Sequence, residues 1–146
     1  MILPYDTQNI IVTYLDDLID IMNVYYLSKE HKNVIKILNL YDIKSYQLAK
    51  ITQNVIEDNK FKFVEKLNLQ NNKFIYDVNH VNNTLIKLDC SGKSIIGQQG
   101  ISQLNLIDLN AMGNSKIIDV NHMKKLKKLA CSWLSKIDQG GIREIS

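Results

Sequence analysis

Two histidines and two cysteines, His80, His122, Cys90 and Cys131, make up a ligand set that a tetrahedral zinc site would accept. Their positions argue against convergence on one ion. Each pair recurs at the interval of a sequence repeat, the cysteines at inward strand positions and the histidines in the linking turns. Ligands on opposite edges of a layer do not meet, so core thiols and turn imidazoles are expected instead. A nucleophilic cysteine would need an electropositive, accessible setting, which an inward strand position does not offer. The loop Ser91-Gly92-Lys93-Ser94 is similar to the end of a phosphate-binding loop but lacks the earlier glycine and the strand-to-helix context. It reads as a strand-ending turn. The acidic pairs Asp16-Asp17 and Glu57-Asp58 read as helix-end residues. No catalytic constellation, metal site or cofactor site is expected.

The elements that place these residues announce themselves by repetition. Val64-Glu65-Lys66-Leu67-Asn68-Leu69 is followed by Leu85-Ile86-Lys87-Leu88-Asp89-Cys90, Leu106-Ile107-Asp108-Leu109-Asn110-Ala111 and Leu126-Lys127-Lys128-Leu129-Ala130-Cys131. The anchor leucines Leu67, Leu88, Leu109 and Leu129 fall at near-equal intervals of about 21 residues, in the range of leucine-rich repeats. The second half of the chain resembles that class. Alternation along a short strand puts the leucine and the residue two further on onto one face. One such strand cannot bury that face alone, so copies stack into a solenoid with a shared core. Cys90, Ala111 and Cys131 fill the second inward slot and are expected to be enclosed. A longer period overlies the first. Asp77-Val78-Asn79-His80 returns as Asp119-Val120-Asn121-His122, and Ile96-Gly97-Gln98-Gln99-Gly100-Ile101 as Ile137-Asp138-Gln139-Gly140-Gly141-Ile142. The unit is therefore read as a pair of unlike repeats, about 41 residues long.

Ahead of the repeats, Asp6 can cap a helix carrying Ile10, Ile11, Tyr14 and Leu15. Leu18, Ile21, Met22 and Tyr25 form a second apolar stripe, and Ser28 can cap a third helix with Val34, Ile35 and Leu38. The order Leu3-Pro4-x-Asp6, Ile10-Ile11, Tyr14-Leu15-Asp16, Asp20-Ile21 and Leu27-Ser28-Lys29 resembles an F-box over roughly the first 35 residues. The pattern departs from that family by one extra residue between Asp16 and Asp20, and by His31 where tryptophan is usual. The resemblance implies that residues 1–40 form a three-helix segment binding a Skp-type adaptor of a cullin–RING ubiquitin ligase. Leu3, Pro4, Ile10, Ile11, Tyr14, Leu15 and Ile21 would form that contact. The bland alternative is that the same side chains cap the solenoid, as repeat arrays require. Residues 41–60 read as a helical connector, with Ser45 as cap and Leu48, Ile51 and Val55 on one face.

Composition narrows the function classes. An apolar share of 45% excludes wholesale disorder, and no run of about 18 apolar residues suggests a membrane span. The opening Met1-Ile2-Leu3-Pro4-Tyr5-Asp6 does not read as a secretory leader, and two cysteines suit a reducing compartment. A net charge of +3 is too small to point to nucleic acid. Ile142-x-x-Ile145 matches Ile101-x-x-Leu104, which precedes a strand, so the last strand is expected to carry an open edge. That edge would suit either a shortened copy of a longer repeat protein or pairing with another chain. The repeat organisation and turn types are also similar to repeat proteins of giant viruses of amoebae.

Taken together, the sequence predicts an α+β chain: an F-box-like segment over residues 1–40, a connector over 41–60, and leucine-rich repeats over 61–146 with about four parallel strands. Lys66, Asn68, Gln70, Lys87, Asp89, Ser91, Asp108, Asn110, Met112, Lys128 and Ser132 are expected on a concave, mixed polar face open to a protein. The expected role is a non-enzymatic, cytoplasmic protein-interaction adaptor (in the host cytoplasm if viral). Its partners would be proteins, with neither nucleic acid nor membrane. The alternative is a plain leucine-rich-repeat scaffold.

Overall fold

Leu40, Leu67, Leu88, Leu109 and Leu129 lie side by side on consecutive rungs of one parallel sheet. The computed structural model describes residues 36–132 and 134–145, together with Met22. Within them the chain is mixed α/β, with few and short helices. Strand β1 (Asn39–Leu40) is followed by helices α1 (Ser45–Leu48) and α2 (Gln53–Ile56), then by β2 (Lys66–Asn68), β3 (Lys87–Asp89), β4 (Asp108–Asn110) and β5 (Lys128–Ala130). These strands stand in chain order. The expected count of about four is thus corrected to five among the described residues, and pairing begins at Asn39, well ahead of Phe61. The interval from Leu40 to Leu67 is longer than the later ones because α1 and α2 occupy it, which hides β1 from a search at the regular spacing.

The connector also departs from a single helix. Asn72 is buried and its amide donates to the carbonyls of Leu48 (2.7 Å) and Ile51 (2.9 Å). The chain therefore turns out of helix after Leu48 and re-enters it at Gln53. Leu48 and Ile51 reach the core as expected, but Val55 remains 41% exposed and Ile56 takes the inward place.

Alternate rungs are held by a short polar kit, which explains the recurring Asp-Val-Asn-His. Asp77 accepts from the Asn79 amide at 2.7 Å, and Asp119 does the same for Asn121, opening a tight turn in each case. Val78 and Val120 are fully buried. Asn79 donates forward to the Gln99 carbonyl and accepts from the Gln103 amide, while Asn121 reaches Gly140 and Glu144 in the same way. The histidines reach backward: His80 Nε2 is 3.0 Å from the Ile56 carbonyl oxygen, and His122 Nε2 is 3.1 Å from that of Ile101. One residue type caps its own turn, the next fills the core, and the last two stitch to the neighbours on either side.

Glycine is required where the turns touch. A Cβ on Gly100 would stand 2.0 Å from the Tyr76 carbonyl oxygen, and one on Gly141 would stand 2.2 Å from that of Ile118. The same close approach lets Gly100 and Gly141 accept from the amides of Val78 and Val120. A single apolar core runs beneath the sheet from Ile37 to Leu126, and Met22 packs against it half-buried.

Candidate binding face

The outward residues of the strands form two columns. Asn39, Lys66, Lys87, Asp108 and Lys128 are in register in the first, and Asn68, Asp89, Asn110 and Ala130 in the second. The second column ends each strand. Asn68 accepts from the Gln70 amide at 3.0 Å, Asp89 from that of Ser91 at 2.9 Å and Asn110 from that of Met112 at 3.1 Å. These side-chain bonds to the backbone two positions on draw the chain out of the ladder where each short strand ends. The following turn takes a left-handed residue, Asn71, Gly92 or Gly113, each with a positive φ near 60–72°. Ser91-Gly92-Lys93-Ser94 is one instance of that turn.

The centre of the face is a small charge cluster. Lys87 Nζ is 3.3 Å from Asp108 Oδ2 and 3.9 Å above the Tyr41 ring, a cation–π contact spanning from β3 to the end of β1. Burial, followed by the nearby Asp89 carboxylate, pushes the Tyr41 phenol above its ordinary pKa of 10.0. Asn68 donates to the Tyr41 carbonyl at 3.4 Å, which ties the ring's strand to β2. Tyr41 is the functional candidate that the sequence reading missed, because β1 lies off the regular interval of the later strands.

Lys66, Gln70, Met112 and Lys128 are exposed, with Met112 at 49%, and Asn68, Lys87, Asp108, Asn110 and Ser132 are half-buried. Two members need correction. Asp89 and Ser91 are buried, because the Asp89 carboxylate accepts from Ser91 Oγ at 2.6 Å and from Asn110 Nδ2 at 2.7 Å. They brace the face from within. The seven F-box-like contact residues, Leu3, Pro4, Ile10, Ile11, Tyr14, Leu15 and Ile21, lie outside the described residues.

No family model, curated protein or solved structure matches this chain. The functional reading therefore rests on its residues.

The thiols differ from expectation. Cys90 is fully buried, and desolvation pushes its pKa from 9.0 up to about 12. Cys131 is exposed, which corrects the reading of two enclosed thiols. Ala111, one rung earlier, is buried beneath β5, whereas no described strand follows β5 to cover Cys131. Among the described residues no group of three or more histidine, cysteine or carboxylate side chains is placed to hold a metal. Nor is any described helix long and apolar enough to cross a membrane.

Proposed function

We propose that this chain is a protein-interaction receptor of the leucine-rich-repeat kind, whose strand face holds a protein and whose first residues recruit a ubiquitin ligase. The observation that carries the reading is the outward column Asn39–Lys66–Lys87–Asp108–Lys128, in register over the described strands and carrying both signs of charge with an aromatic ring beside it. Such a surface suits a protein partner with its own mixture of charges better than a polyanion. On this reading the parallel sheet is a short solenoid, and ubiquitin transfer belongs to the partners, so the chain is no enzyme. The recruiting half rests on the F-box resemblance of Leu3-Pro4, Tyr14-Leu15-Asp16 and Ser28-Lys29. A cytoplasmic location, in the host if the source is viral, goes with it.

Co-purification of the intact, folded chain with a Skp-type adaptor tests the recruiting half; absence of binding removes it. The plain scaffold, with N-terminal helices serving only as a cap, is favoured by one observation. Met22, from the second apolar stripe, packs against the core of the sheet. The two readings separate on Ile11→Asp and Leu15→Asp: the receptor reading expects lost adaptor binding with the fold kept, and the cap reading expects unfolding.

A further inference from the structure

Four turns along one side of the stack carry charge of a single sign. Segments 46–52, 70–76, 91–97 and 112–118 come after β1, β2, β3 and β4, and each holds one lysine and no acid: Lys50, Lys73, Lys93 and Lys116. Hydrogen bonds set these segments side by side. Asn72, next to Lys73, donates to the carbonyls of Leu48 and Ile51, which bracket Lys50. The Lys93 amide donates to Asn71 Oδ1 at 3.0 Å, and the Lys116 carbonyl accepts from the Gln98 amide at 3.2 Å. All four lysines are exposed, and none forms an ion pair with a described residue. Like charges on neighbouring rungs, about 4.8 Å apart, repel one another. An anionic partner would relieve that repulsion.

The same turns expose apolar side chains on a rigid backbone. Buried Ile75, Ile96 and Ile117 anchor three successive turns, and the residues that follow them are Tyr76, Gly97 and Ile118. Tyr76 and Ile118 are each more than half exposed, as is Phe74. Gln53 Oε1 holds the Tyr76 amide at 3.0 Å, and Gln98 Oε1 holds that of Ile118 at 3.0 Å, so neither side chain stands on a loose loop. Two rungs separate them, about 10 Å, which is the spacing of packed layers with side chains between. Gly97 contributes no side chain to that interval. A Cβ placed on it would meet only Lys116, at 3.5 Å from its Cβ and 3.8 Å from its carbonyl oxygen. The edge thus offers a slot for one apolar side chain, walled by Tyr76 and Ile118 and bordered by lysines.

Acids near the slot are already engaged. Asp77 and Asp119, beside Tyr76 and Ile118, accept from both the backbone and the side-chain amides of Asn79 and Asn121. The unmatched charge is therefore positive. We propose that this turn edge is a second docking surface, separate from the strand face, for an acidic segment of another protein that seats an aliphatic side chain between Tyr76 and Ile118 and sets its carboxylates against Lys73, Lys93 and Lys116. Ile118 gives a nucleobase nothing to stack on, and the paired carboxylates of Asp77 and Asp119 lie where a phosphate chain would pass, so a peptide suits the edge better than a nucleic acid strand. The inference does not depend on the receptor reading of the strand face.

The probe is a short, blocked, dye-labelled peptide alternating glutamate and leucine, added to the intact protein and followed by fluorescence anisotropy. It is expected to bind saturably, and to weaken as salt rises from about 0.05 to about 0.5 M. Lys93→Glu should weaken it roughly two- to five-fold, the size of an exposed charge pair. Gly97→Leu, which plugs the slot, should weaken it roughly ten-fold, the worth of burying one aliphatic side chain. Lys125→Glu, in the turn ahead of β5, should leave it unchanged. The proposal is overturned by an absence of saturation up to about 1 mM peptide, by equal binding of the same peptide with glutamine for glutamate, or by indifference to Lys93→Glu and Gly97→Leu. Tighter binding of oligothymidine than of the peptide would assign the edge to nucleic acid and overturn it. Peptide binding that emerges only when Asp16, Asp17 and Asp20 are replaced by asparagine would assign the edge to the chain's own acidic opening, and equally overturn it.

Discussion

Asn114 is 1% exposed and its side chain makes three hydrogen bonds to the backbone. Its amide donates to the carbonyls of Cys90 and Ile96, both at 3.0 Å, and its Oδ1 accepts from the Lys116 amide at 2.9 Å. Cys90 and Ile96 are themselves fully buried, so water does not reach their carbonyls when the side chain is cut back. Each stranded carbonyl costs about 1–3 kcal/mol, whereas exposed Lys116 can turn its amide to solvent. Asn114→Ala should therefore cost roughly 2–5 kcal/mol, out of a total stability of order 5–15 kcal/mol. Urea unfolding of the two proteins side by side measures it as a lower midpoint at unchanged slope. Asn114→Asp sharpens the test because it keeps the shape and the acceptor but aims a carboxylate at two carbonyls. Those carbonyls and burial would raise its pKa, so the folded state holds the proton more tightly than the unfolded one does. The variant should be most stable below about pH 4, the unfolded carboxyl value, and lose stability as pH rises through the folded value. A cost below about 1 kcal/mol for Asn114→Ala, or a pH-independent deficit for Asn114→Asp, would refute the assignment of Asn114 as the stitch between rungs.

Other expectations follow from the same geometry. In the native protein Cys131 should label with a small thiol reagent far faster than Cys90, which should react only on unfolding; equal rates would contradict the burial difference. Since the Cys90 thiol rises from 9.0 to about 12 on folding, stability should fall as pH climbs from 9 towards 12, and Cys90→Ala should blunt that alkaline loss relative to the parent. Gly100→Ala should destabilise by ~1–3 kcal/mol because its new methyl would meet the Tyr76 carbonyl. Gly97→Ala, whose methyl would only touch Lys116 Cβ at an ordinary 3.5 Å, should be neutral or slightly stabilising, and thermal melts of both check the contrast.

The strand register was legible from the leucines because period-2 alternation leaves little choice of face once one side must be buried. Leu67, Leu88, Leu109 and Leu129 pair as their spacing implies. Leu40 was hidden because the chain between it and Leu67 holds α1 and α2 in place of an extended turn. Helical spacing suggested a single connector helix. What decides the break, the Asn72 amide seizing the Leu48 and Ile51 carbonyls, is a contact from the next rung that no local pattern encodes. The face was readable as columns, but its openness was not. Asp89 and Ser91 occupy outward positions and are buried by the side-chain bonds among themselves and Asn110. Cys131 matched Cys90 in pattern and differs in exposure because β4 lies alongside Cys90, whereas no described strand lies alongside Cys131.

The residues that make the stitches recur on every other rung. Asn72 is answered by Asn114, His80 by His122 and Gly100 by Gly141, each of them two rungs further along the chain. Gln53, whose side chain clasps both the amides of Tyr76 and Asp77 and the Asp77 carbonyl, is likewise echoed by Gln98 on Ile118 and Asp119. Removing one rung would thus set two turns of the same kind against each other, leaving histidines and glutamine clasps without their matching backbone groups. Removing two would restore the native alternation. The sheet looks uniform, but the polar bonds that join its rungs have a period of two, so the smallest interchangeable unit is a pair of rungs.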